Sequence, residues 1–501
     1  MTRPRKHFRD TEALARLLDP RAVYTWLVTD GYFPETYVLP PCFHVSRHSK
    51  YGKRYWPLRK GKFNPALAQI CELHFPKSEL TDRTFGIIDP KIHNEIAMEI
   101  ADEWELFLDL LFHPDQRIYS YSFPVPVTAK LPGTIGALRA GRMIYEWIQM
   151  AENDLVEEAY QYKYVVKTDV KNFYPSVYTH SLAWAFHTKA VIRTPGNRYN
   201  YALLGNRLDK LFQNANDGCT NGLPIGPVVS DLMAEVVLSA VDIAVSSQLR
   251  PIKTLGIRFK DDYRFLCSSE DDCRRIVKTL QKQLKEFNLL LNEDKTEVSA
   301  LPEGVFREWV SKYHAVKPKK KRKLSYPQFK EFYLSVLRID KEHPGTGIID
   351  KFIVDVTDKS HATLLPNAPR HIKQTISLLL LLASRRIKSF PKILGVIEAI
   401  MTATGNSKCN RMVDKYLNSM LANLVSDPDD NRYLISWILY FLTSNRLGVR
   451  LATPLTHPVL TSIQTNRGHL FTTATDFQLF RGIRATRKAG ALLKHLDLFP
   501  P

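Results

Sequence analysis

The chain has 501 residues, which is long enough for two or more domains with cores of their own. Its composition, 44% hydrophobic and 24% charged, is ordinary for a globular protein and excludes wholesale disorder. Lysine and arginine number 70 against 51 acidic residues, and the net charge of +19 favours a polyanionic partner such as a nucleic acid.

Cysteines and apolar runs bear on the compartment. The six cysteines are scattered without C-x-x-C spacing, so neither a disulfide framework nor a zinc site is predicted. The basic N-terminus lacks the apolar run of a signal peptide, and the longest apolar run, 376–383, is too short to span a bilayer. We expect a cytoplasmic protein with no membrane partner.

The first 60 residues combine basic side chains with many aromatic ones. Rings that stack on bases and cations that meet phosphates suit nucleic-acid contact. Packing into a core explains the same aromatic residues equally well, and both interpretations stay open. Further along, apolar spacing predicts helices over 91–112 and 136–160, and alternation predicts a strand at 117–124.

Three carboxylates follow strand-like segments. The apolar segment 164–170 places Asp169 at the end of a strand, and residues 257–266 predict two short strands with Asp261 and Asp262 at the bend. Because side chains alternate along a strand, adjacent carboxylates converge on one ion only where the chain turns. Hard divalent cations take oxygen ligands, and two ions about 3.5 to 4 Å apart can clamp the attacking and leaving oxygens of phosphoryl transfer. The sequence therefore predicts a magnesium site with polymerase chemistry.

The segments between and after these carboxylates predict loops and helices. A glycine loop at 222–226 precedes a helix predicted over 227–247, and the basic run 317–323 is expected to be an exposed loop. Helical periods then dominate at 369–386, 391–404, 411–425 and 431–443. Successive antiparallel helices of this kind can stack as in HEAT solenoids, although the residues show no clear internal repeat.

In chain order, Asp169 with Tyr174, the loop 222–226, the pair Asp261 and Asp262, and Lys295 resemble palm motifs A to D of reverse transcriptases. Two positions depart from the usual motifs. Ile225 stands where a glutamine is common, which weakens the case for templated copying, and Lys260 replaces the small or apolar residue before the acids.

The resemblance implies roles for further residues. The carbonyl of Val170 would join Asp169 as a metal ligand, and Gly226 would let the backbone approach the nucleotide. Tyr174 would exclude a ribose 2′-hydroxyl, although a ring that closes a core strand is equally compatible with this residue type. Arg117 would contact the triphosphate and Lys295 would protonate pyrophosphate, whereas a surface arginine and an exposed lysine are the plain alternatives.

The run around motif A is more specific. It resembles the abortive-infection (Abi) reverse transcriptases of bacterial anti-phage defence, most of all the P2-prophage type (Abi-P2), through Asp169, Asn172, Phe173, Tyr174, Tyr178, Thr179, His180, Ser181 and Trp184. That family implies an α+β fold with a reverse-transcriptase-like palm and fingers, followed by an all-α, HEAT-like C-terminal domain. It also implies two Mg²⁺ ions, with Mn²⁺ as a substitute, and dNTPs as substrates. DNA synthesis would be template-independent, the product would be covalently attached through a tyrosine, and the protein would be a homo-oligomer.

The expected domains are an N-terminal segment contributing to the fingers (1–115), fingers and palm (116–300), a basic linker (301–335) and a helical domain (336–501). Tyr51 is the candidate primer, because Gly52 gives mobility and the neighbouring cations attract triphosphate, although an ordinary loop tyrosine fits the same pattern. Two other functions stay open: a template-dependent polymerase of retron or group II intron type, and a nucleic-acid-binding defence sensor with a vestigial palm.

Overall fold

The computed structural model describes residues 1–33, 36–45, 53–76, 82–136, 141–319, 322–358, 360–366, 368–405, 407–451, 454–468, 470–471, 478–483 and 492–496. The candidate primer Tyr51 lies outside these residues.

Helices and one hairpin form the N-terminal part: α1 (Arg3–Arg16), α2 (Pro20–Val28), β1 (Cys71–Pro76), β2 (Asp82–Ile87), α3 (Pro90–Asp102) and α4 (Trp104–Leu111). The start of α3 follows from its sequence, because the Asp89 side chain accepts hydrogen bonds from the first backbone N–H groups and Pro90 needs none. The single helix predicted over 91–112 is two helices. The backbone leaves helical geometry at Glu103, where φ is −112° and ψ is 29°.

A five-stranded sheet with surrounding helices follows: β3 (Ile118–Ser120), α5 (Gly141–Ala159), β4 (Tyr164–Asp169), α6 (Phe173–Ser176), α7 (His180–His187), α8 (Lys189–Arg193), α9 (Leu204–Ala215), α10 (Val228–Gln248), β5 (Thr254–Phe259), β6 (Asp262–Cys267), α11 (Glu270–Glu286) and β7 (Glu297–Ala300). The strand order is β3-β5-β6-β4-β7, with β3 parallel to β5 and the other pairs antiparallel. The predicted strands at 164–170 and on both sides of the Asp pair are confirmed.

Segment 117–124 forms a shorter strand than predicted. Only Ile118–Ser120 forms a strand. It is an edge strand of the five-stranded sheet, and the carboxylates belong to other parts of that sheet. Helix α10 agrees with the prediction over 227–247 and lies in the core, since Leu232, Val236 and Val237 are fully buried. It packs against α4, α7 and α11 and so supports the sheet from one face.

The C-terminal part is helical: α12 (Glu308–Val316), α13 (Tyr326–Glu342), α14 (Ile348–Asp355), α15 (Pro369–Arg385), α16 (Phe390–Thr404), α17 (Ser407–Leu424), α18 (Arg432–Ser444), α19 (Pro458–Thr465) and α20 (Leu492–His495). The helices predicted at 369–386, 391–404, 411–425 and 431–443 are confirmed, so the chain has a mixed α/β fold with many helices. Their arrangement as HEAT repeats stays a prediction.

Segment 301–335, the predicted linker, includes helices among its described residues. It contains α12 and the first part of α13, which pack on each other and on α14. Lys317, at the start of the basic run, forms an ion pair of 2.7 Å with Asp355. This part of the run is therefore tied to the helical region.

The N- and C-terminal parts meet at the β1–β2 hairpin. Strand β1 contacts both α18 and the 3₁₀ turn Ile387–Ser389, and the Tyr433 hydroxyl donates a hydrogen bond of 2.8 Å to the carbonyl of Tyr37. No helix among the described residues is long and apolar enough to cross a membrane.

Candidate active site

The β5–β6 hairpin presents the two adjacent carboxylates at its tip. Phe259 and Asp262 are opposite each other in the register, so Lys260 and Asp261 form the turn. Tight two-residue turns need left-handed backbone, and Lys260 has φ of +53°. This conformation costs a non-glycine residue roughly 1 kcal/mol, so the surrounding contacts must hold it.

A buried network behind the tip provides those contacts. The backbone N–H of Lys260 donates to Ser122 Oγ at 2.9 Å, and the Lys260 carbonyl accepts from Arg258 Nη1 at 3.0 Å. Arg258, only 1% exposed, also donates to Glu235 at 3.1 Å and to Asp242 at 2.8 Å. Because Glu235 and Asp242 both belong to α10, the turn is anchored to the core helix.

The third carboxylate comes from the neighbouring strand. Asp169 is the register partner of Asp262, and the backbone N–H of Val170 donates to the carbonyl of Asp261 at 3.3 Å. The three predicted acids therefore meet at the same end of the sheet, where β4 ends and β6 begins. Asp169 is 5% exposed, and its Oδ2 accepts a hydrogen bond of 2.5 Å from Lys295 Nζ.

The electrostatics of this end of the sheet favour a bound cation. Burial raises the pKa of Asp262 to about 7, and the negative charges of Asp261 and Asp169 contribute to that rise. Burial likewise raises the pKa of Asp261. A divalent cation would stabilise the ionised carboxylates and reverse these shifts.

The donor set fits a hard divalent cation. Oδ1 of Asp169 is buried without a hydrogen-bond partner, and carboxylate oxygens are the ligands that Mg²⁺ prefers. Among the residues that the structure describes, no three His, Cys, Asp or Glu side chains are already close enough together to enclose a metal ion. Lys295 supplies the positive charge beside Asp169, and this ion pair raises the pKa of its ammonium.

Asp169 and Asp261 line a cleft of 720 Å³. Its walls are the end of β4, the glycine loop 222–226, the β1–β2 hairpin, Lys295 and two more distant residues, Tyr37 and Lys388. The glycine loop and the hairpin are joined, because the N–H of Gly86 donates to the Ile225 carbonyl at 2.9 Å.

Gly226 lines this cleft as predicted, and the structure gives two reasons for glycine there. Its φ is +130°, which other residues rarely adopt, and a Cβ atom would lie 3.1 Å from the Phe85 ring. The close approach that it permits in this structure is therefore to strand β2. Contact with a nucleotide stays a prediction.

Tyr174 also lines the cleft, and its orientation is fixed. Its hydroxyl donates a hydrogen bond to Asp231, and Lys260 Nζ lies 3.5 Å from the other oxygen of that carboxylate. The same ammonium is 5.9 Å from the centre of the Tyr174 ring. Lys260, whose role the sequence left open, thus faces Asp231 and Tyr174 from the turn.

The structure does not bring Arg117 to the carboxylates. Its backbone N–H donates to Ser246 Oγ at 2.9 Å, near the end of α10, and its side chain is exposed. Since β3 runs parallel to β5, Arg117 lies at the end of the sheet opposite to the Asp pair.

Two cations at the cleft were missed by sequence reasoning. Arg83 on β2 lines the cleft, and its positive charge acts to lower the pKa of Asp261. The alternating segment 82–87 could have indicated a strand that carries this arginine, but not where the strand packs. Lys388 lies far from Asp169 in the chain, and no local pattern links the two.

Comparison with known proteins adds one family. Residues 123–329 match the family model described as reverse transcriptase (RNA-dependent DNA polymerase). This segment includes the three carboxylates, Tyr174, Gly226 and Lys295. Comparison with curated protein sequences found no match.

Solved structures give distant similarities to Candida telomerases. Apo telomerase from Candida tropicalis, truncated from its C-terminal domain, is 14% identical with a TM-score of 0.33, over 51% of this chain and 54% of that one. Telomerase from Candida albicans with the TWJ fragment of telomeric RNA is 12% identical with a TM-score of 0.30, over 75% and 62%. Apo telomerase from Candida tropicalis is 12% identical with a TM-score of 0.34, over 79% and 71%.

The present chain thus spans about half to three fifths of the length of the first two telomerase structures, 54% and 62%. The family match is independent of them and coincides with the carboxylate-bearing sheet. The chain therefore contains a reverse-transcriptase domain at residues 123–329.

Proposed function

We propose that this protein is a template-independent, protein-primed DNA polymerase of the abortive-infection type, acting in anti-phage defence in the bacterial cytoplasm. The observation that carries the proposal is that Asp169, Asp261 and Asp262 lie together at the end of β4 and the β5–β6 turn, where Asp169 and Asp261 line the cleft. The run from Asp169 to Trp184 supports the choice of family. The family's homo-oligomeric state is part of the same proposal.

The cleft supports synthesis without a template. Part of its wall is Tyr37 and Lys388, which lie outside the reverse-transcriptase domain. Ile225 has an apolar side chain where templated enzymes commonly have glutamine, and its carbonyl is engaged by Gly86 of the hairpin. These features favour a cleft that binds a nucleotide and a single growing strand.

In the proposed mechanism, Asp169, Asp261 and Asp262, with the carbonyl of Val170, would hold two Mg²⁺ ions, for which Mn²⁺ could substitute. The bound ions would lower the pKa of the attacking hydroxyl and neutralise charge on the phosphates. By holding these ions, the three carboxylates would orient the reacting groups.

Other side chains act directly on the dNTP. Tyr174, held by Asp231, blocks the space that a ribose 2′-hydroxyl would need. Arg83 binds the triphosphate, a role that we assign to it rather than to Arg117 because Arg83 lines the cleft. Lys295 donates a proton to the departing pyrophosphate.

The first bond forms on the protein itself. The phenolic oxygen of a tyrosine attacks the α-phosphorus of a dNTP, the bond to pyrophosphate breaks, and the first nucleotide stays attached to the chain. Tyr51 remains the candidate primer. Later additions use the 3′-hydroxyl of the growing strand.

The test is incorporation of labelled dNTPs by the purified protein with Mg²⁺ and no added primer or template. On a denaturing gel the label should migrate with the protein and shift after proteolysis. Mass spectrometry of the labelled peptide then identifies the tyrosine, and Tyr51→Phe should abolish labelling if Tyr51 is the primer.

A template-dependent reverse transcriptase is the second candidate, because the matched family is described as RNA-dependent DNA polymerase. It predicts no incorporation until a primed RNA template is added. Label that remains free of protein, and that appears only with such a template, would replace the first proposal by this one.

A further inference from the structure

A cation from the helical region lies in the polymerase cleft. The 3₁₀ turn Ile387–Ser389 connects α15 to α16, and Lys388 of this turn lines the cleft together with Asp169 and Arg83. The turn belongs to the part of the chain beyond the reverse-transcriptase domain, which ends at residue 329.

The position of this turn is fixed from the inside of the helical region. Asp350 on α14, 3% exposed, accepts hydrogen bonds from Arg386 Nε at 2.6 Å, Ser389 Oγ at 3.2 Å and Lys392 Nζ at 2.6 Å. Arg386 and Ser389 flank Lys388 on its two sides. One buried carboxylate therefore contacts side chains on both sides of Lys388.

The turn and the residues beside it bring three cations together. One carboxylate, Asp350, is in contact with two cations, Arg386 and Lys392, and the ammonium of Lys388 adds a third positive charge nearby. Lys388 Nζ lies 4.3 Å from the centre of the Tyr37 ring, and Tyr37 also lines the cleft. A cation over an aromatic face keeps its charge and gains a preferred direction.

The turn is also coupled to the hairpin that carries Arg83. It contacts strand β1, which pairs with β2 along its whole length, and β2 in turn is bonded to the glycine loop. Lys388 and Arg83 thus approach the cleft from two elements that pack on each other.

We propose that Lys388 is a phosphate-binding residue of the polymerase cleft, supplied by the helical region. Its ligand is a phosphate of the incoming nucleotide or of the growing DNA strand, for which a compact ammonium on a flexible stem is suited. The inference rests on the proposed function only in requiring that the cleft binds nucleotides or DNA. It makes the helical region part of the substrate site.

The experiment measures binding without turnover. Wild type, Lys388→Met and Lys388→Arg are titrated with a fluorescein-labelled single-stranded oligodeoxynucleotide and, separately, with a dNTP in the presence of Mg²⁺. Methionine keeps an unbranched side chain, one atom shorter than that of lysine, and removes its charge. The control Lys373→Met removes an exposed lysine near the other end of α15.

We expect Lys388→Met to lower the affinity for one of the two ligands roughly tenfold, as for the loss of one charge-assisted hydrogen bond. Lys388→Arg and Lys373→Met should stay within about twofold of wild type. If the strand is the ligand, the logarithmic salt slope of oligonucleotide binding should also fall by about 0.7. If the incoming nucleotide is the ligand, only the dNTP affinity should change.

Binding of both ligands to Lys388→Met within twofold of wild type would overturn the inference, and so would a wild-type protein that binds neither ligand. Normal binding by wild type with no template-free synthesis would contradict only the proposed function. Asp350→Asn gives an independent check. Because it releases the turn, it should lower the affinity for the same ligand that Lys388→Met affects.

Discussion

The guanidinium of Arg258 donates a hydrogen bond of 3.0 Å to the carbonyl oxygen of Lys260, the residue that precedes Asp261 and Asp262. Arg258 is also paired with Asp242 and Glu235, both on the core helix α10. Through this residue, the position of the hairpin tip depends on the core.

Replacing Arg258 should therefore lower the stability of the folded protein. Arg258→Met leaves two buried carboxylates without their cation, and we expect a loss of about 3 to 5 kcal/mol in the free energy of unfolding. Chemical denaturation measures this. The control Arg250→Met removes an arginine that is 57% exposed and paired with Asp115, and it should cost no more than about 1 kcal/mol. Equal losses in both variants would contradict the anchoring role.

Lys260 offers a test of backbone strain at the same turn. Because its φ is +53°, Lys260→Gly should relieve roughly 1 kcal/mol of strain, offset in part by the greater freedom of glycine in the unfolded chain. Lys260→Ala keeps the strain, and both variants lose the ammonium near Asp231, so the two differ in strain and chain freedom. The glycine variant should therefore be the more stable of the two in urea denaturation, and the reverse order would show that strain at this turn is negligible.

Three features of the site could be predicted from local sequence. Asp169, Asp261 and Asp262 each stand where an apolar strand ends or turns, and strand pairing then brings them to one end of the sheet. The position of Arg117 could not be predicted, because its distance from the carboxylates depends on the parallel pairing of β3 with β5. The contribution of Arg83 and Lys388 was missed for a similar reason: it depends on contacts between segments far apart in the chain.

Tyr174 should control the choice of sugar. Tyr174→Ala removes the ring beside the cleft, and we expect the ratio of kcat/KM for a dNTP to that for the matching rNTP to fall roughly tenfold or more. Tyr174→Phe keeps the ring and loses only the hydrogen bond to Asp231, so its ratio should stay close to that of wild type. An unchanged ratio in the alanine variant would remove Tyr174 from this role.

The ion pairs of Asp350 predict how the stability of the protein depends on pH. Arg386 and Lys392, with Lys388 nearby, hold the pKa of the buried Asp350 well below its ordinary value of 3.8. A lowered folded-state pKa stabilises the protein above the unfolded-state pKa, and this stability is lost as the pH falls through the folded-state value.

The stability difference between wild type and Asp350→Asn should therefore be constant from about pH 5 to 8, near 3 kcal/mol, and shrink below about pH 4. Denaturant midpoints measured across this range provide the test. Asp10→Asn, which removes an exposed partner of Lys6, should change stability by less than about 1 kcal/mol at every pH. A difference for Asp350→Asn that grows below pH 4 would contradict this assignment.

The most direct test of the whole account compares two Asp residues ten positions apart. Asp261 lies at the hairpin tip, whereas Asp271, with a side chain 91% exposed, pairs with Arg274 at the start of α11. Nucleotide incorporation with Mg²⁺ should fall by at least about a hundredfold in Asp261→Asn, and Asp271→Asn should retain wild-type activity. Asp261→Asn with wild-type incorporation would contradict the assignment of the three carboxylates as the catalytic centre.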